Sequence, residues 1–462
     1  MGRSDAIRPG QLRDLALKCH KAGKLDEAMG HYSRYLAIAP ADGMMWSNAG
    51  ALLRKAGRHD LALAAQRRAA QLEPGSDAVR NNLANILADL GQNEEAIDLR
   101  LSLLAAGQGD AMTKALVGKA YRSLGRHDEA VSWLSGCLTE HPDHPEIGIQ
   151  LAMAQLAGGD YARGFASYRV RWTTDELTPR NLPRPEWQGE PLAGKRILVL
   201  PEQGFGDAMA FSRFLPVLRQ FDPERVLLYC EAPVACLYDG IDGADWTGKQ
   251  MPDPGDYDVW VNLMDLAIPH FATSNRVAAP ARLSVPQDSR DRARRIMQAH
   301  RGDVRVGVVW TGSTTYRNNG FRSFRHSEFH RLLDIEGLRL FSLYKGPEVA
   351  AFQADGSSIP IVDLGSSDRH FGDCAALMQE MDLVITSDTA TAHLAGSLGV
   401  PVWTLLHWDP FWLWAHHGNR TPWYPSMTLM RQQTPRDWAG VFHRVRRRVG
   451  DLVAAKLAEG RT

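Results

Sequence analysis

Residues 23–57, GKLDEAMGHYSRYLAIAPADGMMWSNAGALLRKAG, open and close on glycine, and the 34-residue interval between the two recurs down the chain: Gly23, Gly57, Gly91, Gly125 and Gly159. A fixed period of that length marks stacked helix–turn–helix repeats. Other positions keep the same register. Ala28, Ala62, Ala96 and Ala130 follow the first four glycines by five residues, and Gly164 follows the fifth. Ala16, Gly50, Ala84, Gly118 and Ala152 precede them by seven. Small side chains at both places let paired helices approach closely. Pro40, Pro74 and Pro142 stand where a second helix must stop, because proline cannot continue the hydrogen-bond ladder.

This pattern resembles a tetratricopeptide-repeat array over residues 8–172. Such an array implies a solenoid whose concave groove serves for binding. One register position carries Asp14, Asn48, Asn82, Leu116 and Gln150. Amides both donate and accept, so Asn48 and Asn82 are candidates for holding peptide backbone. The row is similar to the asparagine ladder of O-linked N-acetylglucosamine transferase, with Leu116 interrupting it. Ordinary polar surface explains the same residues equally well.

The composition narrows the function classes. The 462 residues carry 53 basic and 53 acidic side chains. Residues 1–172 hold 21 basic and 19 acidic residues, and the remainder 32 and 34. Neither part has the positive field of a nucleic-acid binder. Arg444 with Arg446–Arg448 reads as the solvated face of a closing helix. The cysteines, Cys19, Cys137, Cys230, Cys236 and Cys374, form no C-x-x-C pair and no zinc spacing, so no metal or disulfide frame is expected. No apolar run is long enough to span a bilayer and none resembles a leader, which makes a cytoplasmic protein the expectation.

Beyond the repeats, residues 173–194 hold four prolines and read as a fixed connector. A first α/β lobe is expected over 195–286, with strands at Arg196–Pro201, Arg225–Cys230 and Tyr257–Leu263 and a helical stretch Ala208–Gln220. A second is expected over 287–434. It opens on a charged helix at 287–300, followed by strands at Val304–Trp310, Leu338–Tyr344, Met381–Thr386 and Val400–Leu406. A closing helix and tail occupy 435–462. Strands alternating with helices imply parallel sheets, with ligands at the strands' carboxyl ends. Two such lobes around a cleft suggest the architecture of many nucleotide-sugar transferases.

Four turns carry the candidate chemistry. Gln203, Gly204, Gly206 and Asp207 follow the first strand. Asp207 stands where a helix N-cap would be, so it either caps that helix or acts as a general base. Ser387, Asp388, Thr389, Ala390 and His393 follow the strand MDLVIT. Hydroxyls, small side chains and a helix N-terminus there make an anion cradle, or simply a well-capped helix. Thr311, Gly312, Ser313 and Arg322 follow the first strand of the second lobe, and Lys345 ends the next one. A lysine at that edge could neutralise a leaving phosphate.

The runs EQGFGDAMAFSRFLPVL (202–218) and MDLVITSDTATAHLAGSLGVPVW (381–403) resemble the two lobe motifs of repeat-fused glycosyltransferases related to the heptosyltransferases. WTGSTTYRNNGFRS (310–323), SLYKGP (342–347) and TPWYPSM (421–427) are similar in order and spacing. The resemblance implies a GT-B fold, a nucleotide-sugar co-substrate held by the second lobe, no metal and no other cofactor. It also implies that Asp207 is the base. Flagellin glycosyltransferases combine a similar array and region, which implies a protein acceptor and nonulosonic acid from a CMP donor. Heptosyltransferases proper act on lipopolysaccharide and lack the repeats, so heptose and a lipid acceptor are not implied. The rival expectation is a repeat-based adaptor whose two-lobed region has lost its chemistry.

Overall fold

The computed structural model describes residues 8–175, 177–316 and 319–459. Arg317 and Asn318 of the third motif, Glu176 of the connector and residues 460–462 of the tail lie outside them. The chain divides into two compact units, Met1–Gly158 and Gly159–Thr462.

The first unit is helical throughout: α1 (Pro9–Lys21), α2 (Leu25–Ile38), α3 (Gly43–Lys55), α4 (His59–Leu72), α5 (Asp77–Asp89), α6 (Asn93–Ala105), α7 (Ala111–Ser123), α8 (His127–Glu140) and α9 (Pro145–Ala157). The periodic glycines follow α1, α3, α5, α7 and α9, and all five adopt a left-handed backbone, with φ between 71° and 86°. Only glycine takes that conformation without steric cost, so it ends one helix and turns the chain into the next. The periodic small residues are buried against the partner helix. A Cβ on Gly118 would lie 2.4 Å from Leu134, and one on Gly50 2.7 Å from Gln66. A further periodic feature lies at the helix starts. Asp42, Ser76, Asp110 and His144 each accept the backbone N–H three residues on, the tightest being Thr113 to Asp110 at 2.7 Å.

The second unit begins with α10 (Tyr161–Tyr168) and carries two parallel sheets. The first contains β1 (Arg196–Leu200), β2 (Arg225–Tyr229), β3 (Trp246–Gly248) and β4 (Val259–Asn262), in the order β3-β2-β1-β4. The second contains β5 (Val304–Val309), β6 (Leu338–Ser342), β7 (Ile361–Asp363), β8 (Leu383–Ser387), β9 (Val402–Leu406) and β10 (Met427–Arg431), in the order β10-β9-β8-β5-β6-β7. The helices are α11 (Phe205–Phe211), α12 (Ala267–Thr273), α13 (Gln287–Met297), α14 (Asn319–Arg322), α15 (Val349–Ala354), α16 (Phe371–Gln379), α17 (Ala390–Ser397) and α18 (Trp438–Glu459). The expected helix at 208–220 begins earlier, at Phe205. It passes into a 3-10 segment at Ser212, where Pro216 interrupts the regular ladder. Strands β3, β7 and β10 were not expected; they are short or follow a proline-rich run.

The connector is pinned rather than loose. The Trp187 N–H donates to the Trp260 carbonyl at 2.7 Å, and Trp260 returns its own N–H to Pro185 at 3.1 Å. Helix α10 sits at the centre of an aromatic core. Phe165 stacks on Phe271 at 5.4 Å and meets Phe211 and Trp412 edge-on at 5.8 and 5.6 Å, while Phe211 approaches Trp423 at 5.6 Å. The residues read in the sequence as the last repeat helix therefore belong to the core of the sheet-bearing unit.

Two experiments follow from this packing. Gly118→Val should lower stability by about 1–3 kcal/mol through overpacking against Leu134. Gly136→Ala, in α8 with open space around it, should raise it by roughly 0.5–1 kcal/mol; thermal melts of both variants give the sign. A chain starting at Gly159 should melt cooperatively, whereas one starting at Thr173, without Phe165 and its aromatic neighbours, should not. Equal melts would place α10 outside the core.

Candidate active site where two parallel sheets meet

In a doubly wound sheet the ligand crevice opens where the strand order reverses. In the first sheet that point lies between β1 and β4; in the second it lies between β5 and β8. The first crevice is filled by arginine side chains. Arg171 binds Glu202, after β1, at 2.7 and 3.0 Å and Asp265, after β4, at 2.8 Å. Arg180 donates to Asn262 at 2.9 Å and to the Pro201 carbonyl. The second crevice is bordered by Gly312 and Thr389: a Cβ on Gly312 would lie 2.7 Å from the Thr389 methyl and 2.9 Å from Arg322 Nη2.

Asp207 is not the helix cap. The cap is Gly204, already extended, and Asp207 is the third helical residue, its Oδ2 accepting the Gly204 N–H at 3.1 Å. Helix α11 packs directly on α17. A Cβ on Gly206 would stand 2.7 Å from His393 Cδ2 and 3.2 Å from Ala390 Cα, so only glycine allows this approach. One turn of the first sheet and two of the second thereby bring Asp207, Asp388, His393 and Arg322 to one junction.

Their charges are coupled. Burial pushes the Asp207 carboxyl up to about 6. The Gly204 N–H pulls it down, Asp388 and Glu202 push it further up, and Arg322 opposes them. Burial also raises Asp388, against the pull of Arg322 and the Trp414 indole. Burial first, then Arg213 and Arg322, push His393 down to about 3. It is therefore uncharged at neutral pH. Its ring stacks on Trp414 at 5.1 Å, and its Nδ1 lies 3.0 Å from the Tyr424 hydroxyl.

The expected hydroxyl cradle differs in detail. Thr391 takes up the hydroxyls of Thr386 at 2.8 Å and Thr389 at 2.6 Å. Thr311 bonds Ser323 at 2.8 Å, and Ser313 bonds Thr315 at 2.7 Å. These hydroxyls satisfy one another, and the Ala392 N–H in the first turn of α17 is taken by the Thr389 carbonyl at 2.9 Å. The Ser387 hydroxyl is fully buried without a partner. Lys345 follows β6, one strand further from β8 than β5, and donates to the Asp368 carbonyl, so the cation brought to the junction is Arg322, which follows β5. In the repeats, Asn48 is half-buried, and Asn82 spends its amide N–H on the Ser47 hydroxyl at 3.0 Å. That bond ties α5 to α3 and gives Asn82 a structural duty.

Arg213 escaped notice in the sequence. It is 4 % exposed, donates to the carbonyls of Ala210, Ala278 and Trp423 at 2.8, 3.1 and 2.8 Å, and faces the Tyr424 ring at 4.7 Å. A lone arginine inside FSRFL resembles a surface break, and nothing in its spacing signals burial. Among the described residues, no group of three or more His, Cys, Asp or Glu is placed to hold a metal, and no helix is long and apolar enough to cross a membrane.

Residues 11–173 match the tetratricopeptide-repeat family. The chain is 26% identical over 349 residues to Protein FlbA of Caulobacter vibrioides (strain ATCC 19089 / CIP 103742 / CB 15). The match takes in 68% of this chain and 57% of FlbA, so the chain spans less than two thirds of that relative's length. Sixty-eight per cent exceeds what the repeats alone supply, and the similarity reaches into the sheet-bearing region. Among solved structures, the chain is similar to MamA 41-end from Desulfovibrio magneticus RS-1 (16% identity, TM-score 0.34, 37% of this chain and all of that one). It is also similar to MamA AMB-1 P212121 (21% identity, TM-score 0.32, 38% of this chain and all of that one).

The raised Asp207 carboxyl has a consequence for stability. Between about pH 4 and 6 the folded chain keeps a proton that the unfolded chain releases, so stability falls as pH rises through that window. Asp207→Asn should therefore stabilise the protein at pH 7.5 by about 1–3 kcal/mol and by nothing measurable at pH 4. Denaturant melts at both pH values check this, and an equal effect at the two would show the carboxyl to be solvated.

Proposed function

We propose that the sheet-bearing region is an inverting, metal-independent glycosyltransferase of the GT-B type and that the repeats hold its protein acceptor. The observation that carries this reading is the junction of α11 and α17. A carboxylate on one sheet, raised by burial to about 6, meets a helix N-terminus and an arginine on the other. The nucleotide sugar lies against the second sheet. Its leaving phosphate meets the first turn of α17 and Arg322, where partial and full positive charge offset the developing negative charge. The arginine-filled crevice of the first sheet favours the second as the donor side. Asp207 takes the proton from the acceptor hydroxyl as that oxygen attacks the anomeric carbon from the face opposite the phosphate.

The first acceptor and donor to assay are flagellin and a CMP-activated nonulosonic acid. Asp207→Asn should lower turnover by about 10²–10⁴ while leaving donor affinity nearly intact. Unchanged turnover would remove Asp207 from the reaction. A rival reading, an adaptor without chemistry, draws on the closeness of Gly206 to His393, which leaves no room between the turns at that point. Calorimetry with UDP-, ADP-, GDP- and CMP-sugars separates the two, since an adaptor gives no heat with any of them.

A further inference from the structure

Resting on that reading of Asp207, we propose that Tyr168 and Arg171 are positioning residues for the reaction, holding the strained Glu202–Gln203 peptide so that Asp207 is aimed at the junction. Gln203 has φ 60°, a left-handed backbone on a residue that carries a side chain. Such a conformation persists only where its surroundings over-determine it. Here both ends of the peptide are gripped from outside the sheet. Glu202 is clasped by Arg171, each side chain being 3 % exposed. Arg171 also donates to Asp265 at 2.8 Å and to the Tyr168 carbonyl at 3.2 Å. Gln203 donates its amide N–H to the Tyr168 hydroxyl at 3.4 Å. The next residue, Gly204, binds the Asp207 carboxylate at 3.1 Å. The place of Asp207 therefore depends on the side chains of Tyr168, on α10, and Arg171, on the 3-10 turn that follows it.

Tyr168→Phe isolates this effect, because the ring keeps its packing against Trp412 at 6.1 Å and its face to Arg171 at 5.3 Å, losing only the hydroxyl. The groups facing Asp207 are Glu202, Asp388, Arg322 and the hydroxyls of Tyr168 and Tyr424. His393, across from Gly206, is uncharged at neutral pH. A turn released from Tyr168 lets water reach the carboxylate and lowers its pKa.

The test uses the full chain. The Asp207 carboxyl is titrated by carbon-13 NMR, assigned with Asp207→Asn, and turnover is measured with flagellin and the CMP donor. Tyr168→Phe should move the carboxyl midpoint down by about half a unit or more and cut kcat by about tenfold, with the donor KM unchanged. Gln203→Gly should do the same, and the double variant should lose no more than either single one, as residues acting through one device do. An unmoved Asp207 titration in Tyr168→Phe overturns the proposal. If the wild type turns over no donor, the transferase reading falls, while the NMR titration still decides the positioning role.

Discussion

The buried cluster of Arg171, Glu202 and Asp265 is the constraint on which the sheet-bearing unit is arranged. It sits where β1 and β4 diverge and joins the segment after α10 to both strand ends. Two carboxylates and one guanidinium removed from water are tolerable only because each is hydrogen-bonded in good geometry. Deleting Arg171 would leave Glu202 and Asp265 buried without their shared guanidinium, a loss of about 3–5 kcal/mol for such a site. The cluster thus couples the path of the chain entering the unit to the shape of the turn that carries Asp207.

The second sheet reaches the same junction by different means. Its turns are shaped by glycine and by threonine hydroxyls that bond among themselves. Gly206 and Gly312 remove the Cβ atoms that would hold α11 away from α17 and the turn after β5 away from Thr389. Close approach excludes water, and exclusion of water shifts Asp207 and His393 in opposite directions. One becomes a carboxyl that titrates near neutrality, the other an imidazole that stays neutral.

Much of this was legible in the sequence, and the limits have physical causes. The 34-residue period announced the helix pairs because left-handed turns and close helix contacts can be met by few residue types. The long apolar runs announced β1, β2, β5, β8 and β9. Trp246–Gly248 and Ile361–Asp363 are three residues each, too short for a periodic signal, and Met427–Arg431 follows the prolines of TPWYPSM. The candidate site was legible as turns, since glycine and Asp/Ser/Thr clusters after strands are local. Which cation lies at the junction of α11 and α17 was not. Lys345 and Arg322 look alike in sequence, and only the strand order places one beside β8 and the other outward. Arg171 and Arg213 stayed hidden because sequence patterning treats arginine as surface, and burial is bought here by partners that lie far along the chain.

The connector's bond to β4 bears on how this protein survives in a crowded cell. A short parallel sheet whose last strand ended bare would offer a row of unpaired amides to any other extended chain. The segment around Trp187 occupies part of that row, and its indole is buried. Backbone groups of Pro185 and Trp187 thus cover part of the β4 edge that would otherwise be open to a neighbouring strand.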